Sequence, residues 1–133
     1  MKLLIGKKGG VMKEKSRFSF QDLLVWKKAI KFAEMVIRSF EKFESPRRHF
    51  RIVEQLEAAA TSISMNIAEG KGRQTTKEFI QFLYIARGSL YEVITLLIIL
   101  RNLRWLDPST VDGFEKSAEE ISKMLNSLIK SMK

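Results

Sequence analysis

The chain has 133 residues, 45% of them apolar, with two prolines and no cysteine: one domain's length with material for a core, which excludes a disordered chain, a disulfide scaffold and thiolate chemistry. Its formal charge of +9 is uneven, because Lys2, Lys7, Lys8, Lys13, Lys15 and Arg17 stand against Glu14 alone, so that residues 1–17 carry +5 and the basic signal that would point to nucleic acid lies mostly in a tail. The longest uninterrupted apolar run, Leu96–Leu100, is far short of a membrane span and Leu3-Leu4-Ile5 is too brief for a signal peptide, so a cytoplasmic protein with no membrane partner is expected.

Residues 1–19 read as a basic, disordered tail, and residues 20–133 as the folded domain. Within the tail, Lys8-Gly9-Gly10-Val11 precedes Met12, and such codons spell a purine-rich ribosome-binding site. Residues 1–11 are therefore expected to be translated leader, with Met12 the working start.

The first helix is expected from Asp22 to Phe43. Leu23, Trp26, Ile30, Ala33, Ile37 and Phe40 recur at steps of three and four, the spacing of a bundle seam. A second stripe of Val25, Ala29, Phe32, Val36 and Phe43 runs beside it, making an apolar face too wide for one surface of a small monomer. Ser45-Pro46 breaks the chain and opens a second helix that runs to Glu69, with Val53, Leu56, Ala60, Ile63 and Ile67 as its seam. Small residues between them allow a neighbour to approach closely. Gly70 is placed just past the helix end, where a left-handed residue is cheap only without Cβ.

Thr75 with Glu78 three residues on is a capping box, so a third helix should start there and run to Arg104. Its seam is Leu83, Ala86, Leu90, Val93, Leu97 and Leu100, with Phe79, Phe82, Ile94, Ile98 and Ile99 on other faces, which argues burial on more than one side. Asp107-Pro108 starts the last helix, a one-sided amphipath with Val111, Phe114, Ala118, Ile121, Leu125, Leu128 and Met132 inward. No segment alternates with period two. The fold class expected is all-α, an antiparallel up-down-up-down four-helix bundle. The wide faces of the first and third helices call for a covering partner, most economically a second copy, with Val25, Phe32, Val36, Ile94 and Ile98 in the interface.

Phe20-Gln-Asp-Leu-Leu-Val-Trp26, Gln55-Leu56, Ser62-Ile63, Asn66-Ile-Ala-Glu-Gly70, Gly72-Arg73, Lys77-Glu78-Phe79 and Ala86-Arg-Gly-Ser-Leu90 carry a family resemblance. Over this stretch and on to the C-terminus the chain resembles the four-helix bundle proteins encoded in intervening sequences of bacterial 23S ribosomal RNA genes. The resemblance implies a homo-oligomer, commonly a pentameric ring, and no established enzymatic activity. A related bundle accompanies the reverse transcriptase of diversity-generating retroelements and is thought to bind nucleic acid. After Gln55-Leu56 the family usually carries basic residues, whereas this chain has Glu57-Ala58.

Few residues could carry chemistry. His49 is the only histidine, so neither a di-iron bundle site nor a histidine zinc site can be assembled within a subunit. Gly70-Lys71-Gly72-Arg73 lacks the preceding strand and the spacing of a phosphate loop, and Ser62, Ser64 and Ser89 have no base nearby. No enzyme and no cofactor are expected. Arg47, Arg48, Arg51, Lys71 and Arg73 are the candidate contacts to RNA or DNA, although the two groups fall at opposite ends of one helix. Trp26, Tyr84 and Tyr91 could stack on bases but sit at core-like spacing. Ser62, Asn66, Glu69, Gly70, Gly72 and Arg73 read as structural, holding the helix end and loop, with Glu69 and Arg73 paired. The reading is an interaction or scaffold module with weak nucleic-acid binding at basic rims. The alternative is an adaptor for a protein partner, with no role for nucleic acid.

Overall fold

A computed structural model describes residues 16–41 and 50–133. The expected leader at 1–11, and Phe43, Pro46, Arg47, Arg48 and His49, lie outside the described residues. Among those described, the chain is all-α, with helices α1 (Leu24–Ser39), α2 (Phe50–Lys71), α3 (Thr76–Asn102) and α4 (Pro108–Ser131) and no strand. Each helix packs against its neighbours in sequence, and α1 also packs against α4, so the four surround one core.

The start of α1 differs from the sequence expectation. Asp22 does not cap it; Ser19–Asp22 is a 3-10 turn, and Leu23 is the extended residue before α1. The Gln21 side-chain carbonyl accepts from the Phe18 N–H at 2.9 Å, and Phe20 meets Trp26 edge-on at 5.4 Å. This aromatic hook packs on both α1 and α2. Phe18, assigned to the tail from sequence, stacks on Phe20 at 5.8 Å.

The second stripe of α1 faces the core of its own subunit. Val25, Phe32 and Val36 are only 4%, 1% and 0% exposed, with Ala29 buried beside them. They are core residues, not interface residues. A helix with neighbours on two sides needs a wide apolar face within its own subunit, and α1 touches α2 and α4. The first stripe divides: Ala33 and Phe40 are buried in the core as expected, Leu23, Trp26 and Ile30 are half-buried, and Ile37 is exposed.

α3 begins as its sequence requires. The Thr75 hydroxyl accepts from the Glu78 N–H at 3.1 Å, and the Glu78 carboxylate accepts from the Thr75 N–H at 3.3 Å. All six residues of its expected seam are buried. On α4, Pro108 occupies the first turn, and the Asp107 carboxylate before it accepts from the Ser109 hydroxyl, which holds that carboxyl below the usual carboxylate range. Its buried residues match the expected seam until the last turn, where Ile129 takes the core position and Leu128 and Met132 are half-buried. Steps of three and four from Leu125 are both helical, and packing selects the step of four.

α3 ends without glycine. Arg104 is left-handed, with φ of 65°. The Trp105 N–H reaches the Leu100 carbonyl at 2.9 Å and the Arg104 N–H reaches that of Arg101 at 2.9 Å, the two bonds of a Schellman motif. A non-glycine residue there is strained by about 1 kcal/mol. Arg104→Gly should therefore raise stability by roughly 1 kcal/mol, read as a higher urea midpoint at unchanged slope. A lower midpoint would mean that the arginine side chain contributes more than the strain it causes.

Candidate functional site

The loop between α2 and α3 carries the family-like motif, and its polar groups are engaged locally. Glu69 and Arg73 form an ion pair at 2.7 Å, one helical turn apart. The Arg73 guanidinium also lies 4.7 Å from the centre of the Phe82 ring, and the Lys71 ammonium 5.9 Å from that of Phe79. The Gly72 N–H donates to the Ala68 and Glu69 carbonyls, closing the end of α2. An exposed pair of this kind contributes at most about 1 kcal/mol, so its role is to hold the loop in one path.

Gly70 departs from expectation. It lies inside α2, not beyond it, and its φ is not left-handed. What requires glycine is the approach of α3: a Cβ there would fall 2.5 Å from Phe82 Cβ and 3.0 Å from Phe79 Cδ1. Asn66 also does something other than hold the loop. Its Nδ2 donates back to the Ser62 carbonyl at 2.8 Å and to the Ser62 hydroxyl at 3.0 Å, and that hydroxyl meets Ser89 of α3 at 2.7 Å. This half-buried chain of polar groups joins α2 to α3 in the middle of a largely apolar contact.

The basic candidates are not brought together. Arg51 is exposed in the first turn of α2, while Lys71 closes its other end and Arg73 lies just past it, roughly 30 Å away at the rise of an α-helix. Of the interface candidates left after the correction to α1, Ile94 and Ile98 are half-buried on α3. Ile85, Tyr91 and Ile99 on the same helix are 51%, 51% and 40% exposed. Between α3 and α4 a groove of about 480 Å³ is lined by Leu90, Tyr91, Ile94 and Ala118, with Glu115, Glu119 and Lys123 at its rim. By length and composition alone α3 could cross a membrane; its most apolar 18-residue window has mean hydropathy 1.7, and 39% of that window is buried inside the fold.

A cluster that the linear sequence hid lies beside this groove. Arg87 sits over two rings, its guanidinium carbon 4.9 Å from the centre of Tyr84 and 5.8 Å from that of Tyr91. Its Nη1 donates to Asn126 Oδ1 of α4 at 2.8 Å. The Lys133 ammonium lies 5.6 Å from the Tyr84 ring centre. A hydrogen bond from Lys133 holds the Tyr84 phenol below its usual value, outweighing the opposite effect of desolvation, and the charges of Lys133 and Arg87 act in the same sense as the bond. The signal in the sequence was the spacing Tyr84, Arg87, Tyr91 on one helix and Asn126 and Lys130 on another with Lys133 just past its end, which means nothing until the two helices are placed side by side. Among the described residues, no three His, Cys, Asp or Glu side chains converge to hold a metal ion.

No curated protein matches the chain. Among solved structures, a protein of unknown function from the S23 ribosomal protein family of Bacteroides thetaiotaomicron VPI-5482 is 26% identical and superposes with a TM-score of 0.74 over 80% of this chain and 99% of that one. The family model for the 23S rRNA-intervening sequence protein matches residues 21–127, which takes in all four helices almost to the end of α4. The chain belongs to the 23S rRNA-intervening sequence protein family.

Proposed function

We propose that this protein is a non-catalytic, cytoplasmic interaction module: an antiparallel up-down-up-down bundle that self-associates, as a pentamer on the family resemblance, and binds RNA or DNA weakly. The side-chain pairings support the antiparallel order. Gln55 meets Glu92, Ser62 meets Ser89 and Gly70 abuts Phe82, so numbering rises along α2 as it falls along α3. Lys28 with Glu120 and Phe32 with Phe114 run oppositely in the same way.

The single observation that carries self-association is the outer face of α3. Ile85 and Ile99 are exposed on it, flanked by half-buried Ile94 and Ile98, along a helix apolar enough to need more cover than one bundle gives. A closed ring of copies covers such a face with no second gene product. Nucleic-acid binding has weaker support: Arg51, Lys71 and Arg73 would form basic rims by repetition around a ring, but Arg73 is already paired with Glu69. The apolar groove between α3 and α4 favours a second reading, an adaptor that docks a protein.

Light scattering should give five times the 15.4 kDa chain mass, and Ile94→Asp with Ile98→Asp should reduce it to that of one chain with helicity retained. A wild-type monomer at micromolar concentration would refute self-association. Added oligonucleotide should bind in a salt-dependent way, whereas docking of an apolar protein segment would be nearly indifferent to salt.

A further inference from the structure

α3 presents Tyr84, Arg87 and Tyr91 at steps of three and four; α4 presents Asn126 and Lys130, and Lys133 follows just past its end. Because the two helices run past each other in opposite numbering, these six residues share one face near the α2–α3 loop. The Arg87–Asn126 bond at 2.8 Å and the Lys133 ammonium 5.6 Å from the Tyr84 ring fix the register.

Two features set this face apart from an ordinary solvated surface. The first is uncompensated charge. Arg87, Lys130 and Lys133, and Lys77 two turns before Tyr84, form no ion pair among the described residues. The carboxylates of α3 and α4 are occupied elsewhere: Glu78 in its capping box, Glu92 with Gln55 on the α2 side, Asp112 with Lys116, Glu115 with Arg101, Glu119 with Lys123 and Glu120 with Lys28. The second feature is exposed aromatic surface, since Tyr91 is half exposed at the edge of an open groove. Cations that hold a phosphate backbone beside a ring that accepts a base are what a single strand requires, and a stacked base must be unpaired to reach the ring. Arg73 in the α2–α3 loop, by contrast, is already paired with Glu69.

We propose that this α3–α4 face is a binding site for single-stranded nucleic acid, with a base stacked on Tyr91 and the flanking phosphates held by Arg87, Lys130 and Lys133. This rests on the nucleic-acid reading above and moves its site from the rims to the bundle's side. About three phosphate contacts give a logarithmic salt slope near −2 for a single strand.

The test is fluorescence anisotropy of the full chain with labelled 12-mers of deoxythymidylate and of uridylate, and with a DNA duplex, from 25 to 250 mM salt. Arg87→Gln/Lys133→Gln should weaken single-strand binding at least about tenfold and flatten the salt slope by more than one, since two charges are removed. Tyr91→Leu should weaken it about tenfold at unchanged slope, since stacking alone is lost. Arg51→Gln/Lys71→Gln should change it less than twofold. All three variants are checked for wild-type helicity and assembly mass. A rim variant that loses binding while Arg87→Gln/Lys133→Gln keeps it overturns this site and leaves the nucleic-acid reading standing. A duplex bound as tightly as the single strands overturns stacking. Wild-type protein that binds neither 12-mer at low salt removes the reading and the site together.

Discussion

Phe32→Ala should cost about 4 kcal/mol of folding stability, a large share of what holds a domain of this size together. Phe32 is 1% exposed, and its ring meets Phe114 of α4 edge-on, with centroids 6.0 Å apart and planes at 87°. Truncation removes the burial of a whole aromatic side chain and that ring contact, and it leaves a cavity between α1 and α4. Phe114 and the neighbouring turns of α1, with Ala29 and Val36, are themselves buried on helices held by other contacts, so little collapse can fill the space. Urea denaturation followed by circular dichroism measures the loss. The result also decides between two roles for α1. A residue in a subunit interface would lower assembly mass at dilution while leaving each folded bundle intact. A residue in the core lowers the urea midpoint at every protein concentration. An unchanged midpoint with a smaller assembly would return Phe32, with Val25 and Val36, to the interface.

Gly70→Ala should destabilise by about 3 kcal/mol, lowering the melting temperature by roughly 10 °C. The added methyl would meet Phe82 Cβ at 2.5 Å. That atom is bonded directly to the α3 backbone, so no rotamer change removes it, and the helices must part. Parting them stretches the Ser62–Ser89 bond, now 2.7 Å, a few turns away. The loss appears even though alanine is the better helix former by about 1 kcal/mol. Gly88→Ala is the matched control. Gly88 is exposed in the middle of α3, and a methyl there would have nothing within 4 Å, so the same exchange should stabilise by about 1 kcal/mol. Two substitutions of one chemical kind are thus expected to move stability in opposite directions. If both raise it, α2 and α3 are not in close contact at Gly70. If Gly88→Ala lowers assembly mass, a neighbouring copy covers that point on α3.

What the chain determined by itself is whatever depends on near neighbours in sequence. Thr75 and Glu78 build their capping box from residues three apart, and Pro108 opens α4 from within its own first turn. The three-four seams of α3 and of most of α4 face inward as written, and on α4 one stripe is much more apolar than the rest. Four other features were left to the packing. α1 carries two stripes that satisfy the helical period equally well, and only the positions of α2 and α4 around it choose Val25, Phe32 and Val36 for the core. A glycine near a helix end suits a left-handed cap or a close crossing, and only the place of Phe82 selects the second for Gly70. Arg104 adopts the left-handed turn because Trp105 must fold back to Leu100 and pack on the core, a demand that outweighs the local preference for glycine. Arg87 and Asn126, and Tyr84 and Lys133, are far apart in the chain and have no local reason to meet. They become one surface because two apolar seams align α3 against α4, so a largely polar site is assembled mainly by the packing of other side chains.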